Sequence, residues 1–136
     1  MTTHWMQQPE TLLGEPGKPY TVRKRRLPEL QAYLTQNQMT LVGVDAADAR
    51  SEADFISLLK EILVFPSWAG STWDIFSDIG DEMEEEWPFP LALIVDNYSK
   101  MLSRNPELAL SILWQLTSLS EGSRTEQRQF EIYFVL

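Results

Sequence analysis

Cysteine is absent from the 136 residues. Disulfides and thiolate metal sites are therefore excluded, and a cytoplasmic location suits a chain that needs no oxidising compartment. Histidine occurs once, as His4, in a stretch punctuated by proline and glycine. A Ser–His arrangement would need a base that this chain scarcely offers. No glycine-rich phosphate loop occurs, and no apolar run approaches the ~18 residues that span a membrane. MTTHWMQQPETLLG lacks the basic start and apolar centre of a signal peptide. The Asp81–Glu86 run has neither the alternating ligands nor the central glycine of a calcium loop. These absences predict a soluble cytoplasmic protein that is not an enzyme, holds no cofactor or metal, and makes no membrane contact.

Basic residues are missing from one long interval. Between Lys60 and Lys100 there is no Lys or Arg, while Glu61, Asp74, Asp78, Asp81, Glu82, Glu84, Glu85, Glu86 and Asp96 supply nine acids. The chain holds 20 acids and 11 bases. Once those nine are set aside the rest balance, so the whole formal charge of −9 belongs to that interval. A field of this sign repels nucleic acid and speeds encounter with cationic partners. The basic cluster Arg23-Lys24-Arg25-Arg26, beside so acidic a domain, is expected to be a solvated linker rather than a phosphate site.

What is present is an alternation of helices and strands. A hydrophobic fraction of 43% with 11% aromatics suits a folded globule. Residues 1–26, with Pro9, Pro16, Pro19, Gly14 and Gly17, show no sustained period and are expected to be irregular. Pro28 suits a first helical turn, and Leu27, Leu30 and Leu34 share a face to about Thr35. Met39–Val44 has the apolar run of a buried strand. Ser51 and Asp54 make a capping-box-like start for a helix carrying Phe55, Leu58, Leu59 and Ile62, which Pro66 ends.

Leu91–Val95 is the best central strand, and Asn97–Leu102 a short helix. Asn105-Pro106-Glu107 opens a longer helix that buries Leu108, Ile112, Leu116 and Leu119, with Trp114 expected at the core edge or packed on the sheet and Gly122 as the stop. Phe130–Leu136 closes the chain as a strand. Strands joined by helical crossovers predict an α/β fold with a small three-stranded parallel sheet and most helices on one face. The organisation expected is an N-terminal extension over 1–38 and a domain over 39–136.

The stretch Phe65–Glu86 gives the acid a pattern. Pro66 and Gly70 set up a turn, Thr72 fits an N-cap, and Asp74 near the helix start suits the dipole. At about 100° per residue, Asp74, Asp78, Asp81 and Glu85 fall within roughly 60° of one another, opposite Ile75, Phe76, Ile79 and Met83. Like charges at i,i+4 cost a helix on the order of 0.2–0.5 kcal/mol per pair, so the stripe implies a positive counterpart. Gly80 weakens the helix, which leaves Asp74 and Asp78 as its secure pair. Trp68 and Trp87 sit in the loops flanking this acidic helix, where an aromatic is either core or an interface anchor.

The spacing Phe65-Pro66-x-x-x-Gly70-x-x-Trp73-Asp74-x-x-x-Asp78, followed by Trp87-Pro88-Phe89-Pro90-Leu91 and a buried strand, resembles the barstar family of ribonuclease inhibitors over roughly Met39–Leu136. The resemblance implies a barstar-like three-stranded parallel sheet packed with helices. It also implies a monomeric immunity protein that inhibits a basic secreted ribonuclease or nuclease toxin. Asp78 then matches the aspartate that enters the nuclease active site in place of a substrate phosphate, and Asp74 a second acid one turn earlier. Trp68 matches an aromatic contact, Thr72 a polar contact and Gly70 the turn glycine, with Trp73 framing the acids. Ser77 departs from an interface tryptophan of the family. Thr117 falls near the position of a contacting glutamate, for which Glu121 offers a nearby acid. The alternative is a non-catalytic protein-binding module on the same fold with a non-nuclease partner.

Overall fold

The computed structural model describes residues 20–63, 70, 72–73, 90–123 and 130–136, and for 119–123 the backbone alone. In chain order these form β1 (Tyr20–Val22), a 3₁₀ turn (Lys24–Arg26), α1 (Leu27–Gln36), β2 (Thr40–Asp45), a second 3₁₀ turn (Ala46–Asp48), α2 (Glu52–Ile62), β3 (Leu91–Asp96), α3 (Tyr98–Arg104), α4 (Pro106–Ser123) and β4 (Phe130–Val135). Helix starts follow local chemistry. Pro28 occupies the first turn of α1, where its missing N–H costs nothing. Ser51 caps α2 by accepting from the Asp54 N–H at 3.1 Å, and Asn105 accepts from the Leu108 N–H at 3.2 Å as α4 begins. Asn97 enters α3 from the left-handed region, φ 56°, which asparagine tolerates better than most residues.

The sheet is parallel throughout, in the order β1-β4-β3-β2. It therefore has four strands, not the three expected. The additional strand comes from the stretch expected to be irregular. Tyr20, Thr21 and Val22 pair with Tyr133, Phe134 and Val135, and the Tyr20 ring stacks on Tyr133 at 5.4 Å. Three residues between prolines and a basic cluster carry too little pattern to register as a strand; the exposed edge of β4 recruits them.

Crossover direction explains the layers. From β1 the chain crosses the whole sheet to β2, then steps back through β3 to β4. Right-handed connections running in opposite directions put their helices on opposite faces. One face buries Val44, Leu91, Leu93, Val95, Phe130, Ile132 and Phe134 beneath α2, α3 and α4. The other buries Ala92, Ile94, Tyr133 and Val135 beneath Leu30 and Leu34 of α1. The period-2 alternation along β3 and β4 is this division into two cores. On the three-helix side, Tyr98 packs against Phe134 with ring centroids 4.8 Å apart and donates its hydroxyl to the Ala109 carbonyl at 2.6 Å. Burial pushes that hydroxyl's pKa up, which keeps it a donor.

Candidate functional site

Gly70, Thr72 and Trp73 are the residues of the expected site whose structure is described. Asp74, Asp78, Trp68 and Ser77 lie outside the described residues, as does Trp87; Glu121 falls in α4, with its backbone alone described. Thr72 is exposed, and Trp73 is helical and partly buried, packed against the larger core.

The entry to the acidic segment is held by a residue that sequence reasoning missed. Glu52, at the first position of α2, accepts a hydrogen bond from the Trp73 indole Nε1 at 3.2 Å. The same carboxylate oxygen accepts from the Ser111 hydroxyl of α4. Its negative charge is favoured there by the helix N-terminus. One carboxylate thus ties α2, α4 and the residue preceding Asp74. The signal available in the sequence was an acid beside a cap, which is common; that it reaches Trp73 and Ser111 is a tertiary fact.

Trp114 is also placed differently from expectation. It is 69% exposed, on the side of α4 away from the sheet, and Leu110 one turn before it is 59% exposed. Ile112, Leu116 and Ala109 fill the buried stripe instead. At about 100° per residue Trp114 falls opposite their midpoint, so the correction follows from helix phase.

A second polar cluster stands at the carboxyl ends of β2 and β3. Asn97 donates its side-chain amide to Asp45 at 2.8 Å and accepts from the Lys24 ammonium at 2.9 Å. Lys24 also pairs with Asp96 at 3.3 Å, and Asp45 accepts from the Ala47 N–H at 2.9 Å. The Asn97 hydrogen bond, helped by the Ala47 N–H and by the charges of Lys100 and Lys24, holds the Asp45 carboxyl below its usual pKa despite partial burial. The basic cluster is thus partly engaged within the fold, since Arg26 also pairs with Glu29 at 3.1 Å.

Beside this cluster a cavity of about 420 Å³ lies between α1 and the β2 edge, lined by Leu27, Gln31, Leu41, Gly43, Asp45, Ile94 and Asp96 among others. It sits on the α1 face, across the sheet from the Glu52–Trp73–Ser111 junction. That face also buries Glu131 and the Tyr133 hydroxyl, whose pKa rises through burial and the neighbouring Glu131 charge. Among the described residues no group of three His, Cys, Asp or Glu is placed to hold a metal ion. No described helix is long and apolar enough to cross a membrane.

Residues 39–135 match the model of the Barstar family, described as Barstar (barnase inhibitor), and the chain belongs to that family. The match begins after α1, so β2, β3 and β4 lie inside it while β1 and α1 precede it. This accounts for the strand that the resemblance did not provide. No curated protein sequence matches the chain.

Among solved structures, the ORC2 protein of Aeropyrum pernix in its ADPNP–ADP complexes is similar at 18% identity and a TM-score of 0.61. Its ADP form gives 18% identity and a TM-score of 0.55. Each similarity covers 96% of this chain and 38% of that one. At such identity the likeness is one of fold.

Proposed function

We propose that the protein inhibits a basic ribonuclease of the barnase type, without catalysis of its own, by presenting the acidic segment after Trp73 to the enzyme's cationic cleft. The observation that carries this reading is the join between family and charge. The chain is a Barstar family member, and its whole negative excess lies between Lys60 and Lys100, most of it directly after Trp73, which Glu52 holds in place.

The physical mechanism is elementary. A ribonuclease cleft is positive because it binds a polyanion. An acidic segment is steered into it, and the carboxylates of Asp78 and Asp74 take up donors that would otherwise meet phosphate. Occupying the cleft excludes RNA. The cytoplasm is the location this role calls for, since an inhibitor of a secreted nuclease protects the cell that makes it.

The test is a titration of barnase and other basic ribonucleases with the full chain, following RNA cleavage and association at several salt concentrations. Stoichiometric inhibition is expected, with association faster at low salt. Asp78→Ala should weaken it by on the order of 2 kcal/mol or more, as for a central interface residue, with no loss of thermal stability. Unaltered affinity in Asp78→Ala would remove that residue from the site. A wild-type chain that leaves every such nuclease active would instead favour a protein-binding module with a non-nuclease partner.

A further inference from the structure

The cavity between α1 and the β2 edge is built from residues that the packing of the fold does not fully explain. Leu41 and Ile94 give it an apolar floor, with Leu27 and Gln31 of α1 as a wall. Both wall residues precede residues 39–135, so the cavity arises where the N-terminal elements meet the family domain. Its volume of about 420 Å³ falls in the range of small-molecule pockets, about 300–1,000 Å³.

Gly43 belongs to the same floor. Glycine weakens a strand interior and is expected where the backbone conformation or a close neighbour demands it. Neither holds here. The backbone at Gly43 lies outside the left-handed region, and among the described residues an added Cβ would meet the Ile94 carbonyl oxygen alone, at 3.9 Å. The missing side chain instead leaves an exposed stretch of backbone on which the face of a ring can rest.

Two acceptors converge at the carboxyl end of this floor. Asp45 and Asp96 are partners in the register of β2 and β3, and both line the cavity. Each commits one oxygen to the fold. Asp45 Oδ1 accepts from the Asn97 side-chain amide at 2.8 Å and from the Ala47 N–H at 2.9 Å. Asp96 Oδ1 accepts from the Asn97 N–H at 2.8 Å and faces the Lys24 ammonium at 3.3 Å. Among the described residues neither Oδ2 takes a hydrogen bond, and the Gln31 side-chain amide makes none. Asn97 thus fixes both carboxylates while leaving each an oxygen for a donor on a ligand.

Charge narrows the ligand. Two carboxylates in the lining repel an anion. A cation gains little, because Lys24 and Lys100 already offset Asp45 and Lys24 pairs with Asp96. Arg104, which donates to the Ala47 carbonyl, and the Arg23–Arg26 cluster stand at the same end of the sheet. What remains is a neutral donor. Neighbouring strands lie about 4.8 Å apart, close enough for the paired carboxylates to accept from two hydroxyls of one ring.

We propose that this cavity binds a neutral ring carrying adjacent hydroxyls, a sugar or the ribose of a nucleoside, with its apolar face on Gly43 and its hydroxyls donating to Asp45 and Asp96. Gln31 supplies a donor and an acceptor for a third polar atom. The cavity lies across the sheet from the Glu52–Trp73–Ser111 junction, so the proposal stands whether or not the chain binds a nuclease.

The experiment titrates the full chain with D-glucose, D-ribose and adenosine, following backbone amides by NMR. Tetrahydropyran and dideoxyadenosine serve as counterparts that lack the diol. Saturable shifts at Leu41, Gly43 and Asp45 are expected, with a Kd on the order of 1 mM for the best probe. Adenosine binding at least about ten-fold more tightly than either sugar identifies a nucleoside; a sugar binding as tightly as adenosine identifies a free sugar. The diol-free counterpart of the best probe should bind about ten-fold more weakly. Gly43→Val gives the strand a better residue and fills the floor. Its melting temperature should equal or exceed the wild type while affinity falls at least about ten-fold. Gln31→Ala changes an exposed helix position, should fold normally, and should lose affinity by a smaller factor.

Four results would overturn the site. The first is no saturable shift with any probe, and the second is a diol-free counterpart binding as tightly as its parent. The third is wild-type affinity in both Gly43→Val and Gln31→Ala, which would put the ligand elsewhere. The fourth is putrescine binding more tightly than any of the rings, which would make this a cation site.

Discussion

Trp73 and Glu52, separated by 21 positions, are joined by a hydrogen bond from the indole Nε1 to a carboxylate oxygen at 3.2 Å. The bond fixes the residue before Asp74 to the start of α2, and through Ser111 to α4. A positioning role follows for Glu52. Glu52→Ala leaves a partly buried indole N–H without this acceptor, a change costing about 1–3 kcal/mol. It should lower the urea midpoint and also weaken binding of the cognate nuclease. Glu52→Gln keeps an acceptor and should restore most of both. If Glu52→Ala destabilises the chain and leaves affinity untouched, Glu52 is structural only.

The helices and the three longer strands were legible because each carries a full pattern. Leu91–Val95 is apolar without interruption since both faces of the strand are covered, and Ser51, Pro28 and Asn105 are start signals whose reach is a few residues. What sequence could not show was anything set by tertiary phase. Tyr20–Val22 becomes a strand only because β4 offers an edge. The outward position of Trp114, by contrast, was within reach of the sequence, since it lies opposite Ile112 and Leu116, the stripe expected to be buried. Glu52 gains its importance from partners 21 and 59 positions away. Of the candidate site, the acidic composition after Trp73 was read directly, and the junction of Trp73 with Glu52 and Ser111 came from the structure.

Acid stability should report on Asp45. The Asn97 hydrogen bond holds its folded pKa below the ordinary value, with the Ala47 N–H and nearby lysines acting in the same direction. A carboxylate depressed in the folded state contributes stability above its unfolded pKa of about 3.9. That contribution is lost as pH falls through the lower folded value. Asn97→Ala removes the largest cause, so part of the acid-dependent loss should disappear while stability at neutral pH declines. Asp45→Asn should flatten the same acid limb. Melting curves between pH 2 and pH 7, an interval chosen about the pKa of ~3.9, would decide. An acid limb identical in all three proteins would show that the Asp45–Asn97 bond is too weak in solution to matter.

The segment preceding the family match is expected to be structural. A chain beginning at Met39 would lose β1 and α1, and with them the cover over Ile94, Tyr133 and Val135, now 5%, 2% and 0% exposed. Burial of a large apolar side chain is worth about 1.5–3 kcal/mol. Uncovering three of them therefore approaches the whole stability of a typical domain, about 5–15 kcal/mol. The edge of β4 would open as well, leaving Tyr133–Val135 with unpaired backbone groups on one side. The shortened chain should unfold at far lower urea, bind a hydrophobic dye, and aggregate on concentration. A cooperative transition at the full-length midpoint would mean that residues 39–136 fold independently and that β1 and α1 only decorate them. Equal inhibition by the two chains, measured where both are folded, would further confine the interface to the three-helix side of the sheet.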